Sequence, residues 1–153
     1  MWKDIDINTL IPELPNWNNG AGIAVDTWIS CIGSYQHLLG YASLLWPEFI
    51  AHDECTFLST GFDEKNYREW LRHFKGDRSA VEAMINHRHI ADIFVQEEDR
   101  LTVSMELAVG RLLQETWAAK LRQDFPNKKF TVSFPEGDPT DLISYEISFF
   151  ENR

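Results

Sequence analysis

Past Pro126 the spacing of apolar residues changes from threes and fours to twos, and that change fixes the class of fold this chain can adopt. Phe130, Val132 and Phe134 alternate with Thr131 and Ser133, and Ile143, Tyr145, Ile147 and Phe149 alternate with Ser144, Glu146 and Ser148. A period of two is the mark of a half-buried strand. Two strands, at about 129–134 and 142–150, are therefore predicted. The Glu136–Asp141 segment, with its Gly and Pro, joins them as an antiparallel β-hairpin. Upstream, helical spacing dominates. The chain reads as α+β and predominantly α: a single domain, 1–153, of four to five helices with a C-terminal hairpin.

The longest helical pattern runs from about 100 to 124. Leu101, Met105, Ala108, Val109 and Leu112 line one face, and Val103, Leu107, Trp117 and Leu121 a second. A helix apolar on two faces belongs at the centre, with Glu97, Glu98 and Asp99 at its positive dipole end and Pro126 beyond its close. Asp63 caps an earlier helix whose stripe is Tyr67, Trp70, Leu71 and Phe74, with Gly76 as its stop. Ser79 and Glu82 have the spacing of a capping box for the next helix. Its apolar phase slips at Asn86–His89, so the helix breaks there or carries charge inward. A further amphipathic helix follows Asp26, with Trp28, Cys31, Ile32, Tyr35, Leu38, Leu39, Ala42 and Trp46 on its buried stripe and Gly33 and Gly40 on the other side. Pro47 then opens a short turn through Glu48, Phe49 and Ile50. Residues 1–25, rich in Pro, Asn and Gly, are expected as an irregular arm.

Charge is segregated. Between Lys3 and Lys65 there is no lysine or arginine, yet nine carboxylates occur, so most of the net charge of −10 sits in the first two-fifths of the chain. The same stretch holds Trp17, Trp28, Tyr35, Tyr41 and Trp46, so it should fold rather than trail as an acidic tail. A clustered deficit of bases disfavours nucleic-acid binding. Two cysteines, Cys31 and Cys55, are too few for a disulfide framework, and no apolar run reaches the ~20 residues of a membrane span. A cytoplasmic protein without nucleic-acid or membrane partners is expected.

Two clusters invite a chemical reading. His87-Arg88-His89 with Asp92 contains metal-ligand types, but on a continuous helix His87 and His89 would point about 160° apart. They share an ion only if the helix breaks. His52-Asp53-Glu54-Cys55 places a base, acids and a thiol side by side, where sequence neighbours point apart, and reads as an acidic turn. No phosphate loop, nucleophile elbow or paired Cys-x-x-Cys occurs, so no catalytic residue and no cofactor is assigned.

The leading expectation is a non-catalytic acidic module that binds a basic protein partner, in the manner of small inhibitors or immunity-type proteins. Trp17, Glu48, Asp53 and Glu54 are its candidate contacts. The alternatives are a small metal-assisted hydrolase built on a His/Asp cluster, and a soluble structural or self-associating protein with no separable site, a homo-oligomer forming through the Gly33/Gly40 side of its first helix.

Overall fold

The computed structural model describes residues 4–153, and for residues 97–99 the backbone alone. The chain is α+β and mostly helical. Two single-turn helices, α1 (Ile7–Leu10) and α2 (Trp17–Gly20), punctuate the N-terminal arm, and Asn18 and Asn19 adopt left-handed backbone within α2. There follow α3 (Val25–Ile32), α4 (Tyr35–Leu45), strands β1 (Phe49–His52) and β2 (Cys55–Leu58), and helices α5 (Glu64–His73) and α6 (Arg78–Ile85). Strand β3 (Arg88–His89), the long α7 (Val103–Asp124), β4 (Phe130–Ser133) and β5 (Glu146–Glu151) complete the order. Among the described residues, no helix is long and apolar enough to cross a membrane.

The predicted hairpin is present, and it gains a strand. β4 and β5 pair antiparallel, with Val132 opposite Phe149, while β3 adds to the other edge of β5, with His89 opposite Glu146. β5 starts later than expected because Leu142–Ser144 winds into a 3-10 turn that Asp141 caps. Alternation along β5 sends Ile147 and Phe149 into a core with Leu113, Trp117 and Leu121 of α7. Thr102 caps α7, accepting from Met105 N–H, so the helix begins at Val103. Glu97–Asp99 belong to a preceding 3-10 stretch, Ala91–Arg100, and their predicted role at the dipole end concerns side chains outside the described residues.

A second cluster, Cys55, Phe57, Tyr67, Val81 and Ile85, fills the space between β2, α5 and α6. α5 follows its expectation: Asp63 accepts from Asn66 N–H at 2.8 Å, and Gly76, at φ +86°, returns its N–H to Leu71 O. The region before it differs from expectation. Phe49–His52 is extended, not a helical turn, and pairs with Cys55–Leu58 across a two-residue turn in which Asp53 and Glu54 both have positive φ.

Two buried polar residues, Glu82 of α6 and Asn86 at its C-cap, join the sheets. Glu82 is not half of a capping box, because Asp77 caps α6 and Ser79 Oγ donates to Glu151 O. Instead the Glu82 carboxylate lies fully buried and accepts from Thr56 N–H, Glu151 N–H and the Arg153 guanidinium. One turn later Asn86 accepts from Leu58 N–H and donates to Thr56 O and Phe149 O. β2 and β5 are thereby bridged through side chains, which satisfies backbone groups that no neighbouring strand reaches.

Candidate functional site

The helix expected after Asp26 is two helices, broken where Gly33 and Ser34 turn extended. Ser34 caps α4, with its hydroxyl oxygen accepting from His37 N–H; Ala24, not Asp26, is the N-cap of α3. Gly40 does not serve close approach, since a Cβ there would meet open space.

The apolar stripe of this pair is not buried. From Ile29 to Ser43 every residue except Ser34 is exposed, with Tyr35 at 89%, Leu38 at 63% and Leu39 at 71%. Cys31, expected as a small buried hydrophobe, is exposed as well. Helical spacing places Tyr35, Leu38, Leu39 and Ala42 on one side of α4; all four are exposed, while Leu44, on the opposite side, and Leu45, in the last turn, pack on the core. Trp117 Nε1–H fixes this end by donating to Leu44 O at 3.0 Å, and Tyr41 meets Phe94 edge-on. α3 is tied back by Trp28 Nε1–H to Glu13.

With Ile29, Ile32, Tyr41 and Trp46, the exposed apolar side chains of the arm offer on the order of 800 Å², the share one partner gives to a standard protein interface. Between Thr27 and Pro47 there is no charged residue at all. Beneath α4 a groove of about 430 Å³ runs along Tyr41, Leu44, Arg88, His89, Asp92 and Trp117.

The four residues nominated as contacts fall into two groups. Asp53 accepts from Tyr67 O–H at 2.6 Å and pairs with Arg78; that hydrogen bond, ahead of Arg78, holds its carboxyl below the ordinary value. Glu54 shares Arg78, and its carbonyl receives Lys128 and Arg153. Bases from later in the chain thus offset this turn. Trp17 is half-buried at the head of α2, and Glu48 is exposed beside Pro47. Among the described residues, Asp6, Glu13, Asp26 and Glu48 are in no ion pair with Lys or Arg.

The histidines behave otherwise. α6 stops at Ile85, the chain runs extended, and His87 and His89 come together with their Nε2 atoms 3.1 Å apart. The third group beside them is Glu146, not Asp92. Asp92 lies in the groove wall, and Arg88 forms no pair with it, donating instead to Ile85 O and His87 O. His52 sits apart, pairing with Glu64 at 2.9 Å. The Cys55 thiol is buried and pushed up to about 11, first by burial and then by Glu82, which disfavours the thiolate that a nucleophile needs.

Sequence reasoning missed Glu146, since alternation marked it only as the outward side of a strand. No protein-family model, curated protein or solved structure matches this chain.

Proposed function

We propose that the chain is a non-catalytic protein-binding module, in which the α3–α4 arm docks into an apolar groove, rimmed by basic groups, on a different protein. The observation that carries this reading is the arm itself: an uncharged apolar stripe, exposed along its length, within a chain of net charge −10. Large exposed apolar patches mark interaction sites, and interface cores are depleted in charge while their rims are polar. Here Glu13, bonded to Trp28, Asp26 of α3 and Glu48, just past α4, flank the arm with acidic groups that, among the described residues, pair with no Lys or Arg. Such a rim selects a basic partner and speeds encounter, and it opposes pairing with a second equally acidic copy. An inhibitor or immunity-type role is the form of this activity that size and charge favour. A cytoplasmic setting accords with two free cysteines, one of them exposed.

A photo-crosslinking residue at Leu39, compared with one at Lys75 beyond α5, tests the reading inside the source cell. The expected result is a discrete adduct to one basic protein from position 39 only, lost when Leu38→Asp is added and weakened by salt in the purified pair. An adduct between two copies of this chain, or none above the Lys75 control, would reject it.

A further inference from the structure

We propose that His87, His89 and Glu146 form a site for one divalent transition-metal ion of the zinc type, with a coordination position left open. This goes beyond the docking reading and does not depend on it.

Backbone geometry assembles the three donors. Because the chain is extended at β3, residues two apart project to the same side, which sets His87 beside His89. The β3–β5 register places Glu146 directly opposite His89, and cross-strand partners share a face. Arg88, between the two histidines, leaves on the opposite side, where its guanidinium packs against Gly61. Its charge is therefore turned away from the cluster.

The donor geometry suits a metal. One donor atom from each of the three residues lies within 4.8 Å of the other two, and Glu146 Oε1 stands 3.8 Å from His87 Nε2 and 3.5 Å from His89 Nδ1. Two nitrogens bound tetrahedrally at their usual length stand about 3.3 Å apart, close to the 3.1 Å between these Nε2 atoms. His89 Nδ1 lies 2.7 Å from Ile143 O, and a carbonyl only accepts, so Nδ1 carries the proton and Nε2 presents its lone pair. A backbone carbonyl orienting the far nitrogen is the usual support behind a metal-bound histidine. Two imidazoles and a carboxylate are the donor set of zinc sites that keep a fourth position free, and the three residues are half-buried, which leaves an entry path.

Chelator-stripped full-length protein titrated with Zn²⁺ by calorimetry, and with Co²⁺ by visible absorption, tests the site. One equivalent should bind, with a tetrahedral Co²⁺ spectrum. His87→Ala or His89→Ala should lower affinity at least about a hundredfold and Glu146→Gln about tenfold, whereas His37→Ala, on the exposed arm, should leave it unchanged. Circular dichroism checks that the variants fold, and His87→Gln and His89→Gln give the same reading should alanine unfold the strand. The absence of saturable one-equivalent binding would overturn the proposal and leave a hydrogen-bonded histidine pair. Binding that survives loss of both histidines would overturn it equally.

Discussion

Replacing Glu106 by glutamine should make the protein more stable in alkaline solution and leave it almost unchanged in acid. Glu106 projects from α7 into the interior, fully buried, and neither carboxylate oxygen has a hydrogen-bond partner among the described residues. Burial, with a smaller contribution from Asp141, raises its pKa from 4.5 to about 7. The folded chain therefore keeps a proton between pH 4.5 and about 7 that the unfolded chain has already released. Where the native state binds more protons, stability falls as pH rises. At about 1.4 kcal/mol per pH unit over that window the loss is about 3 kcal/mol, complete above pH 7. Glutamine keeps the shape and the unsatisfied polar end but cannot ionise. Urea unfolding at pH 5 should place Glu106→Gln within about 1 kcal/mol of the parent, and at pH 8 about 3 kcal/mol above it. Because other titrating groups are common to both proteins, the difference between them isolates residue 106. The same offset at both pH values would refute the reasoning.

Arg153→Ala removes the one guanidinium that, among the described residues, pairs with the buried Glu82 carboxylate, and should cost about 3 kcal/mol in urea unfolding at pH 7, since two backbone N–H donors remain but no countercharge does. The two thiols should separate by reactivity. A disulfide reagent at pH 8 labels exposed Cys31 at once, while Cys55 reacts only as fast as the protein opens. Leu38→Asp should leave the urea midpoint within the equivalent of about 0.5 kcal/mol of the parent, because the side chain it replaces is already in solvent.

Much of this architecture was legible because local rules and packing agree. Asp63 and Gly76 bound α5 as their chemistry requires, and the change to a period of two located the hairpin. Periodicity, however, reports that a helix has an apolar side and not what covers it. For Tyr35, Leu38 and Leu39 no described residue does. The β1–β2 hairpin left a weak signal, because Asp53-Glu54 is a poor pair for a turn with two positive φ values, where Asn-Gly is favoured. Tertiary contacts from Tyr67 and Arg78 hold it. Glu82 matched a capping pattern, yet its burial depends on Arg153, seventy-one positions away. The histidine cluster followed the same logic. Breaking α6 is the condition for His87 and His89 to meet, but the third group depends on a two-residue strand whose register no local pattern encodes.

The central claim is that the outward stripe of the α3–α4 arm is left uncovered by the described residues of its own chain, and hydrogen exchange on the purified protein measures this most directly. Amides of residues 28–40 should exchange orders of magnitude faster than those of Cys55–Leu58 and Val81–Ile85, in a protein that sediments as a monomer. Protection across 28–40 equal to that of the core would mean the arm is already covered, and the account would be contradicted.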